Sequence, residues 1–194
     1  MSPPGATLQP AYFDAVYASD NDPWNFASSA YEREKYAATI DSLPKTRYTC
    51  AFEVGCSIGV FTRDLASRCD ALLAIDAAAT PLREAARRCA GFPQVRFEQM
   101  FVPTEWPEAA FDLIVLSEVV YYLHATDVER LAKRVTKTLA PSADVVLVHW
   151  TGATNYPLTG DQAAELFIMA MGQDAYVHSH VRYPSFRLDV LRCR

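Results

Sequence analysis

The chain has 194 residues, of which 51% are apolar and 21% are charged, and its formal net charge is −5. That length is enough for one domain with a large core and too short for two domains of ordinary size. The composition is that of a globular protein, which excludes a disordered chain, and the negative charge gives a nucleic-acid partner no electrostatic attraction. We therefore expect a single domain that acts on a small molecule.

Cysteine usage and hydropathy indicate the compartment. The five cysteines include no C-x-x-C pair, and an odd number argues against a complete disulfide framework. No stretch approaches the roughly twenty apolar residues that span a bilayer, and the first residues lack the basic and apolar regions of a signal peptide. The sequence therefore predicts a soluble cytoplasmic protein with no membrane partner.

Hydrophobic periodicity predicts helices and strands in alternation along the chain. The predicted helices are 10–19, 29–43, 57–67, 80–90, 126–139 and 160–171. The predicted strands are 48–54, 71–76, 94–100, 111–116 and 143–149, followed by a hairpin of 174–183 and 186–193. Thr80-Pro81 is expected to open the fourth helix. This order predicts an α/β fold with a mainly parallel sheet, helices on both faces and an antiparallel hairpin at the end.

The run Phe52-Glu53-Val54-Gly55-Cys56-Ser57-Ile58-Gly59 is the most informative stretch. It is typical of a buried strand, a glycine turn and the start of a helix, a geometry that presents backbone N–H groups to a nucleotide-like ligand. Asp76 ends the next strand, about twenty residues after Gly55, where an acid can accept hydrogen bonds from ribose hydroxyls. We favour this role for Asp76 over that of a helix cap, because the next helix is expected to begin four residues later.

Glu53 stands directly before the turn, and the third glycine of the G-x-G-x-x-G fingerprint is missing. This variant resembles the glycine loop of methyltransferases that depend on S-adenosylmethionine (SAM), and it disfavours an NAD-dependent oxidoreductase. Four stretches together resemble the NodS family, namely Asp22-Pro23-Trp24, 29–36, 53–62 and 111–123. That family contains the rhizobial N-methyltransferase that modifies a deacetylated chitooligosaccharide. The similarity covers about residues 10 to 150.

The resemblance implies a single-domain class I methyltransferase fold with a seven-stranded sheet. Residues 1–45 are expected to form a helical cap or lid, and residues 46–194 the SAM-binding core. The cofactor would be SAM, with S-adenosylhomocysteine as the product. The implied cofactor contacts are Glu53, Gly55, Cys56, Gly59, Asp76 and Ala77.

Five further residues are candidate cofactor contacts, and three of them, at the end of strand three, depart from the common pattern. Many relatives carry an acid after strand three, whereas this chain has Gln99-Met100-Phe101, which could still meet the adenine through an amide, a backbone group or a packed methionine. Arg33 could bind the SAM carboxylate in a bidentate contact. Ser117 follows strand four at the edge where the cofactor is expected.

The candidates for catalysis follow strands four and five. Glu118 could position the acceptor or take its proton, or it could instead hold the glycine loop through a hydrogen bond. His149 could serve as a base near neutral pH, although a histidine at a strand end is as often structural. Tyr121 completes the predicted catalytic group, and it could also be a packed aromatic residue.

Aromatic residues are expected to enclose the acceptor. Tyr122 and Trp150 are predicted to line the pocket, while Trp24 and Tyr31 lie in or next to the loop between the first two helices and are candidates for a lid. His178 and His180 alternate on one strand, but no third ligand with suitable spacing stands nearby, so we expect no metal.

These residues favour a SAM-dependent methyltransferase that acts on a small polar metabolite. N-methylation of an amino sugar is the first expectation, because it is the activity of the family that the chain resembles. N- or O-methylation of another metabolite is the alternative. A protein that binds SAM without turnover is the second alternative, since methyl transfer needs few irreplaceable side chains.

Overall fold

The computed structural model describes residues 5–194, which form six α-helices and seven β-strands. The helices are α1 (Pro10–Ser19), α2 (Ala30–Asp41), α3 (Val60–Ala66), α4 (Ala79–Arg88), α5 (Ala125–Thr138) and α6 (Gly160–Met171). The strands are β1 (Tyr48–Val54), β2 (Cys69–Asp76), β3 (Val95–Gln99), β4 (Phe111–Ser117), β5 (Leu139–Trp150), β6 (Ala175–Arg182) and β7 (Phe186–Cys193). A turn of 3-10 helix, Val120–Tyr122, follows β4. The predicted order of elements is confirmed, and β5 begins earlier than predicted.

The seven strands form one sheet in the order β3-β2-β1-β4-β5-β7-β6. Neighbouring strands are parallel from β3 to β5, whereas β7 runs antiparallel to both β5 and β6. The hairpin between β6 and β7 turns where the backbone N–H of Tyr183 donates to the carbonyl of Phe186 at 2.8 Å. The predicted fold, a mainly parallel seven-stranded sheet with an antiparallel C-terminal hairpin, is confirmed.

The central strands contribute to two hydrophobic cores, one on each face of the sheet. On one face Ile114 and Leu116 of β4 pack in a cluster that includes Phe167 of α6. On the opposite face Leu113 and Val115 pack in a cluster that includes residues of α2 and α3. Successive side chains of a strand point to opposite faces, so a strand covered by helices on both sides is apolar at consecutive positions.

The start of α4 differs from the prediction. The helix begins at Ala79, so Thr80 and Pro81 lie inside its first turn instead of opening it. Its N-cap residue, Ala78, has no side chain that can cap, but the backbone N–H of Ala78 donates to Asp76 Oδ1 at 2.9 Å. The carboxylate at the end of β2 therefore satisfies a donor at the start of α4 and fixes where that helix begins.

The positions of β1 and β4 determine where a ligand can bind. β1 lies between β2 and β4 in the sheet. The chain continues from β1 to β2 and β3 on one side and then returns to β4 and β5 on the other, so the direction of the chain connections reverses between β1 and β4. Val54 is paired with Leu116, which brings the glycine turn after β1 next to Ser117 and Glu118. In open α/β sheets the crevice at such a reversal, at the carboxyl ends of the strands, is the ligand site.

Gly59 explains how closely α3 and α4 approach. Its φ is +76°, and a Cβ atom added there would lie 2.8 Å from the Cα of Ala85 in α4.

We predict that Gly59→Ala lowers the free energy of unfolding by about 2–4 kcal/mol, because it combines left-handed backbone strain with overlap against a helix backbone. Gly91→Ala is the control, since nothing lies within 4 Å of its added Cβ. Urea unfolding monitored by circular dichroism measures both, and equal stability of the two variants would contradict this account.

Candidate functional site

A cavity of about 700 Å³ opens at the carboxyl ends of β1, β2 and β4. It is lined by the glycine turn, the ends of β2 and β4, the segment after β3, α1, α2 and the segment after β5. The volume lies within the range of small-molecule sites, about 300–1,000 Å³, and aromatic side chains form much of its wall. We describe the end near Gly55 and Asp76 as the loop end, and the end near Tyr121 and Trp150 as the outer end.

The glycine turn is fastened to β2. The backbone N–H groups of Gly55 and Cys56 both donate to the carbonyl of Ile75, at 2.8 and 2.9 Å. Gly55 has a φ of +78°, and a Cβ atom there would lie 2.5 Å from Val119 Cγ2, so glycine lets the turn pass against the segment after β4. The thiol of Cys56 lines the cavity, and burial raises its pKa well above the ordinary value, so it is uncharged at neutral pH.

Asp76 links the glycine turn to α4. Its Oδ2 accepts from the backbone N–H of Ser57 at 2.9 Å, and its Oδ1 accepts from that of Ala78 at 2.9 Å. Burial raises the pKa of Asp76 to about 6, against the opposing effect of these N–H groups. Each carboxylate oxygen keeps a second lone pair. The side chain can therefore hold the loop and also accept two hydroxyl groups of a ligand in the cavity.

Glu53 lies under the same turn with its side chain almost completely buried. Its Oε2 has no hydrogen-bond partner among residues 5–194, and the residue lines the cavity. Burial raises the pKa of Glu53 to about 8, so the carboxyl group is mostly protonated at neutral pH. A buried polar atom without a partner is uncommon in native proteins and indicates a missing ligand group or water.

A buried ion pair joins α2 to the end of β4. Lys35 Nζ lies 2.7 Å from Glu118 Oε1 and 3.0 Å from Glu32, and the lysine side chain is 2% exposed. Glu118 Oε2 accepts from the backbone N–H of Trp150 at 2.9 Å. Burial tends to raise the pKa of Glu118, but the charge and hydrogen bond of Lys35, together with His149 and the N–H of Trp150, outweigh burial and the pKa is lowered. Lys35 keeps Glu118 ionised and its pKa is lowered, which makes it a weak base, so the geometry favours a positioning role for Glu118 over proton acceptance.

His149 lies behind the cavity wall. Its ring is fully buried, and neither ring nitrogen has a partner among the described residues. The ring centroid is 5.4 Å from that of Tyr121, which lines the cavity where His149 does not. Burial lowers the pKa of His149 to about 4, so it is a neutral and weak base at pH 7. The structure thus does not bring this predicted catalytic residue to the site.

Most other predicted site residues line the cavity, and three do not. Those that line it are Trp24, Tyr31, Glu53, Gly55, Cys56, Asp76, Ala77, Met100, Phe101, Ser117, Glu118, Tyr121, Tyr122 and Trp150. Arg33 is exposed and its Nη1 donates to the carbonyl of Ser28 at 2.8 Å. Gln99 is exposed and its Nε2 donates to the carbonyl of Ala77 at 3.0 Å. Gly59 packs against α4, as described above. The roles assigned to all these residues stay predictions.

Sequence reasoning missed Lys35, Tyr17 and Thr154. Lys35 follows Glu32 by one helical turn, so their shared helix face was a signal that could have identified the pair. The hydroxyl of Tyr17 on α1 donates to Ser57 Oγ in the glycine turn, a contact without any local sequence signal. Thr154 lines the cavity from the irregular segment after β5, where no periodicity guides a prediction.

Three further observations concern the histidines of β6, a possible metal site and a possible membrane span. His180 Nδ1 lies 2.6 Å from Asp189 Oδ1, so it is engaged in an ion pair or hydrogen bond on the sheet. Over residues 5–194, no three His, Cys, Asp or Glu side chains are grouped as a metal ion would require. In the same range no helix has the length and apolar character needed to cross a membrane. The cytoplasmic location stays a prediction.

Comparison with known proteins gives a family match. The model of the family "Nodulation protein S (NodS)" matches residues 16–150. Nodulation protein S of Sinorhizobium fredii is 33% identical over 127 residues, which cover 64% of this chain and 59% of that protein. Nodulation protein S of Rhizobium tropici is 33% identical over 128 residues, covering 65% of this chain and 54% of that protein. The chain thus spans little more than half the length of these relatives.

A solved structure extends the similarity of the fold. The N-methyltransferase NodS of Bradyrhizobium japonicum, determined in complex with S-adenosylhomocysteine, superposes with a TM-score of 0.80 at 23% identity. The similarity covers 94% of this chain and 97% of that one. The fold is therefore shared well beyond the residues that the family model matches.

The pKa of Glu53 predicts a pH dependence of stability. Between pH 6.5 and 8 the folded protein keeps a proton that the unfolded carboxyl group has already released, so stability falls as the pH rises, by at most about 1.4 kcal/mol per pH unit. In Glu53→Gln this part of the slope should be absent. Urea unfolding at half-unit pH steps measures the slope. Glu129→Gln, an exposed change on α5, should keep the wild-type slope, and a Glu53→Gln slope identical to wild type would refute the buried-acid interpretation.

The buried ion pair predicts a large effect of removing its cation. Lys35→Met leaves the carboxylates of Glu32 and Glu118 without a counter-ion, so we expect a loss of about 3–5 kcal/mol in the free energy of unfolding. Adding Glu118→Gln to Lys35→Met should recover part of that loss. Lys133→Met, an exposed change on α5, should stay within about 0.5 kcal/mol of wild type. Additive effects of the two substitutions in this double-mutant cycle would show that the pair is not coupled.

Proposed function

Because the chain belongs to the NodS family, we propose that it is a SAM-dependent methyltransferase that modifies a small-molecule acceptor. The observation that carries the proposal is the pair of buried acids, Glu53 and Asp76, on either side of the glycine turn. The structure of Bradyrhizobium NodS with S-adenosylhomocysteine supports the same cofactor.

The residues of the loop end fit this cofactor. Asp76 has lone pairs available for the two ribose hydroxyls, and the partnerless Oε2 of Glu53 suits the amino group of the methionine part. Met100 and Phe101 supply an apolar wall for the adenine. When bound, SAM supplies a methyl group already activated on a sulfonium, so the protein's part is to bind, orient and exclude water.

The helical segment is proposed to cap the cavity, as the sequence predicts for residues 1–45. Residues 1–4 lie outside the described residues, and α1 and α2 lie over the loop end and the outer end. Tyr17 contacts Ser57 of the turn, and Lys35 binds Glu118. Trp24 and Tyr31 line the cavity from these helices and their connection, so the cap excludes water from the site of transfer.

The side chains at the outer end determine whether the protein can take a proton from the acceptor. Glu118 is ion-paired, His149 lies behind Tyr121, and burial raises the pKa of the Tyr121 hydroxyl well above its ordinary value. Within residues 5–194 the outer end thus presents no uncommitted carboxylate or imidazole as a base. We infer that the acceptor attacks with a lone pair that is already free, and that its surplus proton leaves to water.

The amino-sugar acceptor predicted from the sequence stays a proposal. It comes from the NodS family, whose match ends at residue 150, whereas residues 153–156 also line the cavity. A protein that binds SAM without turnover is the alternative that a methyl-transfer assay separates from an enzyme.

We predict that isothermal titration calorimetry will detect binding of S-adenosylhomocysteine and no binding of NAD. Asp76→Asn should weaken binding at least about tenfold, because a charge-assisted hydrogen bond to a hydroxyl is lost. Asp70→Asn is the matched control, since Asp70 is exposed and pairs with Arg47 away from the cavity. Binding of NAD in place of S-adenosylhomocysteine, or equal affinities for the two variants, would overturn the cofactor proposal.

A further inference from the structure

A second cavity, of about 410 Å³, lies between α5 and the turn after β3. We call it the basic groove, and it is lined by Pro103, Thr104, Arg130, Lys133, Arg134 and Lys137. Four of these six residues are cations and none is an acid. None of the six lines the larger cavity that contains Glu53 and Asp76, so the basic groove is a separate cavity.

The four cations lie along one face of α5. Counted from Arg130, their spacing is i, i+3, i+4 and i+7, so they occupy adjacent turns and extend over about 10 Å of the helix axis. The opposite face, which includes Val128, Leu131 and Val135, is buried in the core. Packing of the apolar face therefore fixes the helix with its cations toward the groove.

Three of the four cations have no acidic partner. Arg130 pairs with Asp127 at 2.9 Å, whereas Lys133, Arg134 and Lys137 form no ion pair among residues 5–194. On α4, by contrast, one glutamate pairs with two arginines. Unbalanced positive charge thus collects in the basic groove, although the chain as a whole has a net charge of −5.

The acids that are close in the sequence do not neutralise the groove. Glu129 lies one helical turn before Lys133, but within the described residues the two side chains form no ion pair. Glu105 follows Thr104, and its Oε2 accepts from the backbone N–H of Phe101 at 2.6 Å. The positive charge of the groove is therefore open to an external anion.

Repulsion among these cations disfavours the helix when the groove is empty. Arg130 and Arg134 are four residues apart, as are Lys133 and Lys137, and like charges at this spacing destabilise a helix. The helix dipole favours a cation in the last turn, which accounts for Lys137. The effect of the dipole does not extend to Arg130 or Lys133, so their presence needs another reason.

A compact ion with more than one negative group fits the groove. The guanidinium of Arg134 matches two oxygens of a phosphate, and the lysine ammonium groups act as point charges beside it. A single phosphate reaches the cations of one helical turn, whereas linked phosphates reach those of both. The concave shape suits a small ion better than a flat bilayer, and the negative net charge of the chain opposes a nucleic acid.

We propose that the basic groove binds a compact anion that carries two or three linked phosphate groups. Lys133, Arg134 and Lys137 supply the unpaired charge that holds it, and the bound anion removes their mutual repulsion. Free polyphosphate and the phosphate chain of a nucleotide share this chemistry. The site is independent of the proposed methyltransferase activity, because no residue lines both cavities.

A protein-observed NMR titration in about 150 mM NaCl, where exposed charges are screened, tests the proposal. The probes are orthophosphate, pyrophosphate, tripolyphosphate, cytidine diphosphate and hexaglutamate. We expect a Kd for tripolyphosphate below about 1 mM, an affinity for orthophosphate at least about tenfold lower, and shifts confined to α5 and residues 103–104. Cytidine diphosphate that binds more tightly than pyrophosphate identifies a nucleotide as the source of the phosphates, and the reverse order identifies the free anion.

Matched variants assign the binding to the groove. Lys133→Gln and Arg134→Gln should each weaken tripolyphosphate binding about threefold to tenfold, whereas Lys133→Arg should keep it. Arg83→Gln on α4 removes the same charge at an exposed position away from the groove and should leave binding unchanged. Without ligand, Lys133→Gln should be no less stable than wild type in urea, because the substitution relieves repulsion.

Three outcomes would overturn the proposal. They are a Kd for tripolyphosphate above about 1 mM, equal affinities of wild type and both glutamine variants of the groove, and tighter binding of hexaglutamate than of tripolyphosphate. The last would identify an acidic peptide surface as the partner. All variants should keep wild-type affinity for S-adenosylhomocysteine, and a protein that does not bind S-adenosylhomocysteine contradicts the methyltransferase proposal alone.

Discussion

A single buried ammonium group makes the site one rigid unit. Lys35 on α2 reaches Glu118 at the end of β4, and Glu118 in turn holds the backbone N–H of Trp150 at the end of β5. Charges removed from water are stable only when paired and hydrogen-bonded, so these three elements cannot separate without a large penalty. The cavity lies between them. Its width and the position of its outer wall therefore depend on this contact.

The sheet and the loop end could be predicted because their signals are local. The apolar runs that alternate with helices along the chain indicate strands buried in the sheet. The glycine turn indicates a loop that needs a positive φ, and Asp76 downstream indicates an acceptor at the end of the next strand. The structure adds that Asp76 has two functions. It satisfies N–H groups of the turn and of α4, and it still has lone pairs left for a ligand.

The outer end could not be predicted because its contacts join residues distant in the chain. Lys35 and Glu118 are 83 positions apart, and no pattern near either one reveals the other. His149 and Trp150 are consecutive on β5, yet only Trp150 lines the cavity, since neighbouring side chains of a strand face opposite ways. Without the register of the strand, the sequence could not show which of the two faces the ligand. Thr154 and Tyr156 lie in an irregular segment that carries no periodic signal.

The protonated acid under the glycine turn has a consequence for the electrostatic balance of the loop end. With a pKa raised to about 8 by burial, Glu53 is mostly uncharged in the free protein at pH 7. A cationic amino group at Oε2, as proposed for the cofactor, would stabilise the ionised form, so the acid would release its proton to solvent. Binding of the proposed cofactor would then be linked to the release of one proton.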